Sequence, residues 1–559
     1  MKTIQNNIFK ICLLVLLGFT YSCETLELEL LDDPDLISLS DADLNFFVNS
    51  NQVNLASVFE DLSEPGMETT RMVHMFGPLY EIAYSADAFN NAWSTTYSTI
   101  ISNNRVLAPL AESLEAYQHL GISQIIEAYA ITSLVDYLGD IPYSEAVAGI
   151  PNPSRDPGDQ TYGAMLTLLD DAIANLNKTS AISYNTDLFY GGDSSKWIKL
   201  ANTLKLKLYV QSRLLSSGES SIVNSSVSTA GINAIIASGN YITSAADDFQ
   251  FTYSTNDVNP DSRHPYFSRN FDDGGSITDY MSNHVMNEMN AGVDDKTVID
   301  PRLRYYVYRQ GSVNADNAND QDCFGTLPPA HYGFSIPFCT TDFPGYWGRD
   351  HGDDGGIPPD TGFRATWGVY PVGGVFDDNS YEVIASRSVG TSGAGISPIM
   401  LASYVDFMLA ESALTLGTTG NALTYLTDGI AKSMNKVVAF GANQASGSAF
   451  AATQENIDDY IAEITSNYAN ASSDDERLNI IITEYHLALF GNGVEAYNTY
   501  RRTGMPNDLQ PLRDSPVTNF LRSFLYPNVS VSNNSNSDQK DGVTDQVFWD
   551  NNPATGFIN

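Results

Sequence analysis

Two stretches of the chain carry apolar residues at the three- and four-residue spacing of amphipathic helices, at about 90–215 and about 400–491. Within them the apolar stripes stop at glycines, notably Gly139, Gly417 and Gly491, and glycine is a common residue just past a helix end. The pattern predicts antiparallel helix pairs, roughly four in all, which stack like tetratricopeptide repeats. The predicted fold class is therefore all-α.

Between the two helical stretches the pattern changes. From about 218 to 397 the chain is dense in Gly, Asp, Asn, Pro, Tyr and Phe, and apolar periods are short. This composition predicts mostly loops, with a few strands and short helices such as Asp279–Asn290. The stretch after Arg501 is irregular again. We therefore expect a helical scaffold that carries one large, loop-rich insertion.

The first 22 residues have the features of an export signal. Lys2 and Lys10 provide its positive charge, and its apolar core is Ile11–Phe19. That core is too short to cross a bilayer, and no later stretch is long and apolar enough to do so. The segment therefore predicts export without a membrane-spanning anchor.

The signal ends in Thr20-Tyr21-Ser22-Cys23, which is similar to a lipobox. We therefore expect Cys23 to be diacylated and to become the new N-terminus, so that the protein is anchored to the membrane by lipid. Ordinary cleavage near Ser22 is the alternative. Residues 23–35 (CETLELELLDDPD) then form an acidic tether, and residues 36–559 a single domain.

Charge limits the possible partners. The chain has a formal net charge of −39, with 67 acidic and 28 basic residues. Phosphate binding requires clustered Lys and Arg, so nucleic acid is excluded as a partner. The acidity itself needs no further explanation than solubility at an exposed surface.

Two cysteines, Cys323 and Cys339, remain beyond the signal and the lipobox. Both lie in the loop-rich stretch of an exported chain, where a disulfide is expected, and a loop of this length would gain about 3 kcal/mol from it. Two unpaired thiols are the alternative. The spacing does not match a CxxC redox or zinc motif.

Catalytic motifs are missing from the sequence. The chain contains no HExxH, GxSxG or P-loop pattern, and its histidines are scattered. Paired carboxylates could hydrolyse sugars, but with 67 acidic residues such a pair is uninformative. We therefore predict a protein that is not an enzyme, with a secreted hydrolase as the rival hypothesis.

Several segments together resemble one family, the SusD/RagB nutrient-binding lipoproteins of Bacteroidetes outer membranes. The most informative are ITEYHLALFGNGVEAYNTYRRTGMP (482–506) and FMLAESALTLG (407–417), with SLVDYLGDIPYSEA (133–146) and others in the same order. GRDHGDDGGIPPD (348–360) and GVYPVGGVFD (368–377) are similar to its second SusD-like subgroup. The resemblance covers nearly the whole mature chain.

Membership of this family implies a SusD-like scaffold of four tetratricopeptide-like helix pairs and a loop-rich face that holds the ligand. It also implies a partner, a SusC-like TonB-dependent barrel transporter in the outer membrane, which the lipoprotein covers as a hinged lid. The expected function is capture of an oligosaccharide or oligopeptide at the cell surface and its delivery to that transporter. A structural lid with little affinity of its own is a further alternative.

Exposed aromatic rings would bind sugar faces or peptide side chains. The main group of candidates lies within 25 residues of the loop-rich stretch and consists of Tyr346, Trp347, Arg349, Phe363, Trp367 and Tyr370. A second group, earlier in the same stretch, consists of Arg263, His264 and Tyr266. Trp93, beside Asn90, loosely matches a glycan-binding position of some family members. Packing in the core is the alternative for each ring.

Glu495, Tyr497, Arg501 and Arg502 also have side chains that could hold a ligand. The resemblance assigns them to the scaffold, because an Arg–Glu pair can fix helix ends through charge-assisted hydrogen bonds. We therefore predict a structural role for them.

A cofactor is not required, but the Asp/Gly-rich segment near Asp350 is a candidate calcium site. Asp350, Asp353 and Asp354 offer hard carboxylate oxygens with flexible glycine spacing, although the order does not match an EF-hand. Two alternatives stay open: a solvated turn, and a transition metal bound through His351.

Overall fold

The computed structural model describes residues 43–271, 279–291, 296–332, 336–339, 343–355, 364–367, 369–372, 374–381, 389–515 and 519–552. The predicted signal, Cys23 and the acidic tether lie outside these residues, as does Phe363. From Phe47 onward the described residues belong to one compact unit. Within the described part of the chain, no helix is long and apolar enough to cross a membrane.

The fold is mainly helical, as predicted. Helix α1 (Leu44–Thr69) comes first and is followed by the short α2 (Tyr80–Ala83). After α2, the first long helix of the predicted helical stretch begins as α3 (Asn90–Ser94), continues as a π-helix (Thr95–Ile101) and ends as α4 (Ser102–Ser113).

Four helix pairs are found in the described residues. In the first half, α4 pairs with α5 (Tyr117–Leu138), and α6 (Gly158–Leu176) pairs with α7 (Ser194–Gln211). In the second half the pairs are α12 (Ala402–Leu416) with α13 (Ala422–Gly441), and α14 (Gln454–Asn470) with α15 (Asp474–Ala488). Short connections favour antiparallel neighbours.

Capping residues explain where several of these helices begin and end. The Asp193 side chain accepts a hydrogen bond from the Ser195 amide at 2.9 Å, which satisfies one free N–H at the start of α7. Gly417 follows α12 in the left-handed conformation, at φ 64°, which glycine adopts without steric cost. The predicted glycine stop at Gly417 is thus confirmed.

Helix α8 (Ser225–Ser238) differs from the prediction, because it is a 14-residue helix inside the stretch expected to be mostly loops. Its residues are mostly small or polar, and Ile232 and Ile235 are among its few buried apolar side chains, so its apolar stripe is weak. Its ends are well marked nonetheless: the Asn224 side chain caps the first turn, and Gly239 ends the helix at φ 62°.

The remaining elements of the middle region are short. They are α9 (Pro265–Asn270), α10 (Asn283–Glu288) and α11 (Leu303–Tyr306), with strands β1 (Phe249–Tyr253), β2 (Val307–Tyr308), β3 (Thr366–Trp367) and β4 (Gly395–Met400). Antiparallel pairing joins β1 to β4, with Phe251 opposite Ser397, and β2 to β3. The long-range β1–β4 pair fixes the start of the insertion against its end.

Helix α16 (Gly493–Thr503) carries the charged segment with Glu495, Arg501 and Arg502 into the core, where buried ion pairs join the helices. Arg502 of α16 and Arg213 after α7 both bind Glu411 of α12, with N–O distances of 2.6–2.8 Å. Glu495 binds Lys207 of α7 at 2.7 Å. These side chains are buried, as the structural reading of the segment predicted.

The irregular C-terminal stretch packs against the helices. Its short helix α17 spans Asn528–Asn533. Further on, the Trp549 indole is fully buried and donates to Asp136 of α5 at 3.0 Å. The stretch is therefore part of the core, and α17 comes to lie beside the start of the first long helix.

Candidate functional site

Trp93 and Tyr97 form a pair of partly exposed rings where α3 passes into the π-helix. Their ring centroids are 4.5 Å apart and their planes are inclined by 40°. Residues four apart lie on the same side of a helix, which brings the two rings together. A π-helical turn within an α-helix is rare and is frequently found at functional sites.

The two rings line a cleft of about 360 Å³. One wall is the loop that follows α5, and the other is α17 with the residue after it. Besides the ring pair, the lining residues are Ser98, Ser102, Pro142, Ala146, Val147, Pro151, Pro153, Val529, Ser530, Asn533 and Asn534. A mixture of aromatic, aliphatic and amide groups in a concave surface is typical of small-ligand sites.

The loop wall is fixed to the C-terminal stretch by hydrogen bonds. The Asn534 amide donates to the Pro153 carbonyl at 2.8 Å, and the Asn536 amide donates to the Asn152 carbonyl at 2.7 Å. On the floor, the Tyr97 hydroxyl donates to the Pro142 carbonyl at 2.6 Å. These hydrogen bonds fix the walls of the cleft in the ligand-free protein. Binding therefore loses less conformational entropy than it would at a flexible site.

Asn90 has a positioning role rather than the predicted ligand-binding one. Its amide donates to Asp87 at 2.8 Å, and its side-chain oxygen accepts the Val529 amide N–H at 3.2 Å. Asn528 also donates to Asp87, at 2.8 Å. Because its polar atoms are used in holding α17 beside Trp93, the prediction of Asn90 as a ligand contact is corrected.

The cleft is electrically neutral within a strongly acidic protein. None of the described lining residues has a side chain that is charged at neutral pH. Burial raises the pKa of the Tyr97 hydroxyl well above its ordinary value, so this group stays protonated. Such a surface suits an uncharged ligand that offers apolar faces and hydroxyl or amide groups.

A second, larger cleft has different chemistry. It measures about 620 Å³ and lies between α14, α15 and the segment after α16. Its described lining contains no aromatic ring, but it includes Lys296, Asp475, Glu476 and Glu484. Aromatic rings of the kind that pack on apolar ligand faces occur only in the smaller of these two clefts as described, which makes it the better candidate for a ligand site.

The rings predicted in the loop-rich stretch are buried instead of lining a mouth. Tyr346, Trp347, Trp367 and Tyr370 are each 5% exposed or less. The Trp347 indole donates to the Val313 carbonyl at 2.8 Å. These predictions are wrong because dense glycine and aromatic residues also occur where loops fold over one another and bury their rings.

Arg349 and the group around Tyr266 are likewise internal. Arg349 is fully buried and donates to the Gly355 carbonyl at 2.9 Å. Arg263 is paired with Asp261 at 2.7 Å. The Tyr266 ring lies 5.0 Å from the buried Trp367 ring. The predicted ligand roles of Arg263, Tyr266 and Arg349 are corrected to packing and loop fixation.

The candidate calcium segment is occupied by protein donors. Asp350 accepts hydrogen bonds from the amides of Asn283 and Gln510 and from the Cys339 backbone N–H, at 2.7–2.9 Å. Asp353 pairs with Arg513 at 2.8 Å, whereas Asp354 is exposed. Since these carboxylates do not converge on a common point, the arrangement favours a structural turn. His351 is buried, and burial lowers its pKa well below the ordinary value.

The predicted cysteine pair, Cys323 and Cys339, forms a disulfide in the structure, with Cα atoms 5.7 Å apart. It closes a loop over the buried Asp350, whose carboxylate accepts the Cys339 amide. The bond therefore fixes this part of the insertion next to the core.

Of the residues that line the cleft, the sequence analysis named only Trp93 as a candidate, and its role as a ligand contact stays a prediction. Tyr97 was available as the ring one turn further on, at the spacing that places two side chains on one face. The α17 wall follows Trp93 by more than 400 residues, and no local pattern predicts such a contact.

Comparison with known proteins defines the class. Residues 34–342 match a family described as "starch-binding associating with outer membrane", and residues 374–545 match one described as "SusD and RagB outer membrane lipoprotein". The first match alone covers more than half of the chain. The protein belongs to the SusD/RagB family.

Solved structures have the same fold. A SusD homologue from Bacteroides fragilis is 19% identical, with a TM-score of 0.65 over 91% of this chain and 99% of its own. A SusD/RagB family protein from Bacteroides thetaiotaomicron is 19% identical, with a TM-score of 0.61 over 92% of this chain and 100% of its own. A chitin-binding SusD homologue from Flavobacterium johnsoniae is 17% identical, with a TM-score of 0.60 over 91% and 99%.

The search of curated proteins gave no significant match to this chain.

Proposed function

We propose that this protein is a cell-surface lipoprotein that captures a neutral oligosaccharide in the Trp93–Tyr97 cleft. The observation that carries the proposal is the ring pair itself, because two partly exposed aromatic faces lie side by side in a concave, uncharged and pre-formed site. The axial C–H groups of a pyranose form an apolar face that packs on such rings.

The polar groups of the cleft complement the ring pair. Ser98 and Asn533 are exposed at its edge, where they can exchange hydrogen bonds with sugar hydroxyl or acetamido groups. A typical peptide brings charged side chains or termini, for which this lining offers no partner. We therefore favour an oligosaccharide over an oligopeptide. The family description and the chitin-binding relative support the same choice.

The second part of the proposal concerns delivery. We infer that the lipid on Cys23 and the acidic tether hold the protein at the outer membrane, where it passes its ligand to a SusC-like TonB-dependent transporter. Family membership supports this role. Capture followed by release requires modest affinity, which a shallow site with few polar contacts can provide.

We further propose that the protein does not cleave its ligand. Among the described residues that line the cleft, there is no carboxylate, cysteine or histidine that could act as a general acid, base or nucleophile. Binding and transport are thus the proposed activities, and hydrolysis belongs to other proteins.

A ligand panel tests the proposal. The soluble body from residue 36 would be titrated calorimetrically with chito-oligosaccharides, malto-oligosaccharides and neutral and charged oligopeptides, and each mixture would then be analysed for products. We expect binding to at least one neutral oligosaccharide, no binding to charged peptides and no products. Binding to peptides alone, product formation, or binding to neither class would contradict the proposal, the last result favouring a structural lid.

A further inference from the structure

A group of metal-ligating side chains lies away from the cleft, around α10. His284 and Glu288 are four residues apart on this helix, which places them on one side of it. Asp508, in the segment after α16, comes close to both. One potential ligand atom from each of the three lies within 4.8 Å of the other two, and no other group of this kind occurs in the described part of the chain.

Two of these atoms are buried without a hydrogen bond. His284 Nε2 and Glu288 Oε1 are 3.2 Å apart, yet their geometry does not make a hydrogen bond, and neither atom has another hydrogen-bond partner. Both side chains are about 1–2% exposed. Buried polar atoms are usually hydrogen-bonded, so this pair, which lies beside the Asp508 carboxylate, is a candidate for binding an added ion.

His486, at the end of α15, holds Glu288 in place. Its Nδ1 lies 3.2 Å from Glu288 Oε2, and its Nε2 lies 2.9 Å from the Thr70 carbonyl oxygen. Both partners are oxygen acceptors, so the ring donates an N–H group to each of them. Partners of this kind fix the orientation of the groups that bind a metal.

We propose that His284, Glu288 and Asp508 bind one divalent transition-metal ion of the zinc class. Imidazole nitrogens suit Zn²⁺, whereas Ca²⁺ takes six to eight oxygen ligands, so the mixed donor set favours zinc. Zinc ligands sit about 2.0–2.2 Å from the ion, so the widest donor pair must close by roughly 1 Å on binding. Rotation of the Asp508 side chain, which is partly exposed, can supply this movement.

The ion would join distant parts of the chain. Its ligands come from α10 in the insertion and from the segment after α16. His486 of α15, which also contacts the Thr70 carbonyl after α1, holds the Glu288 carboxylate. Such a site stabilises the folded state, because the same ligands are scattered in the unfolded chain. It has no role in contacting the sugar.

Without metal, the same groups form an ion-pair cluster. Burial alone would raise the pKa of Glu288, but His284 and His486 hold it well below its ordinary value. Burial alone would lower the pKa of His284, whereas Glu288 raises it. A metal ion must displace the proton from the His284 nitrogen that it binds, so its affinity falls as the pH falls.

The larger cleft offers a route to the cluster. Asn507, next to Asp508, lines this cleft, as does Lys296, whose ammonium donates to the Glu288 carbonyl at 3.4 Å. An ion could thus reach Asp508 from solvent before it contacts the buried His284 and Glu288 side chains.

The test uses the soluble body from residue 36 after dialysis against a chelator. Zn²⁺ would be titrated calorimetrically at pH 7.5, Co²⁺ binding would be followed by its visible absorption, and the melting temperature would be measured with each ion and with Ca²⁺. We expect one tight Zn²⁺ site, an intense four-coordinate Co²⁺ spectrum and a raised melting temperature. Ca²⁺ should not reproduce the effect.

The matched variants are Asp508→Asn and Asp459→Asn, the second being an exposed aspartate on α14. Asp508→Asn should weaken Zn²⁺ binding at least about tenfold and remove most of the rise in melting temperature. Asp459→Asn should change neither. Equal Zn²⁺ affinity in the native protein and Asp508→Asn, or absence of a tight site, would overturn the proposal. Since Asp508 is partly exposed, its variant folds even if His284→Gln does not.

Discussion

Glu411 and Arg502 are 91 residues apart in the sequence but form a two-point ion pair in the core, with Nε–Oε1 at 2.7 Å and Nη2–Oε2 at 2.8 Å. Arg213 Nε also donates to Glu411 Oε1, at 2.6 Å. One carboxylate therefore connects α12, α16 and the end of α7. Buried charges of this kind are tolerated only when they are paired.

Removing this carboxylate is expected to destabilise the fold. Glu411→Gln would leave two buried guanidinium groups without their counter-charge and should lower the free energy of unfolding by about 3–5 kcal/mol. Urea denaturation at pH 7 measures this loss. Glu112→Gln, at an exposed position near the end of α4, is the control and should change stability by less than about 0.5 kcal/mol. Equal stability of the two variants would show that the ion pair contributes little.

The same pair predicts a pH dependence. Burial alone would raise the pKa of Glu411, but Arg502 and Arg213 hold it below its ordinary value. A carboxyl whose folded pKa is depressed stabilises the protein above its unfolded pKa, and this contribution is lost as the pH falls through the folded pKa. The stability gap between native protein and Glu411→Gln should thus be constant from pH 7 to 6 and should narrow below about pH 4. A gap that does not change with pH would contradict this.

The buried tryptophans of the insertion give a second stability prediction. Trp347→Ala and Trp367→Ala each remove a ring that is 3% exposed or less, so each should cost about 3–5 kcal/mol of folding stability. Thermal and urea unfolding measure the loss, with the exposed Phe450→Ala as control. Weakened sugar binding at unchanged stability would mean instead that these rings contact the ligand.

The disulfide between Cys323 and Cys339 gives a third stability prediction. Because it closes a short loop in the insertion, the double variant Cys323→Ser/Cys339→Ser should lose about 3 kcal/mol of stability. Unfolding of the native protein with and without a reducing agent checks this, and the double variant should not respond to the reductant. A native protein that is equally stable when reduced would contradict the expectation.

The helical scaffold could be predicted from the sequence, whereas most residues of the Trp93–Tyr97 cleft could not. A helix pair is encoded locally, by apolar spacing and by stops such as Gly417, so its position can be read from the chain. The cleft depends on Val529 meeting Asn90 across more than 400 residues. The exposure of a side chain also depends on distant parts of the chain. Trp93 and Trp367 both lie near glycine or asparagine residues in the sequence. The tertiary packing nevertheless leaves the Trp93 ring partly exposed and buries the Trp367 ring.

The neutral lining of the cleft predicts how binding responds to salt. Because none of the described lining residues is charged, the dissociation constant for a neutral oligosaccharide should change less than twofold between about 0.05 and 0.5 M NaCl, where screening weakens charge–charge attraction strongly. Calorimetric titration at both concentrations checks this. A large loss of affinity at high salt would mean that charged groups hold the ligand.

The central claim is that the Trp93 and Tyr97 rings bind the sugar. The most direct test is to titrate ring variants calorimetrically with the oligosaccharide that binds the native protein. Trp93→Ala should fold normally, because the ring is partly exposed, and should weaken binding about tenfold or more, equivalent to about 1.4 kcal/mol. Phe450→Ala, an exposed ring outside the cleft, should bind like the native protein. Unchanged affinity in a folded Trp93→Ala variant would contradict the account.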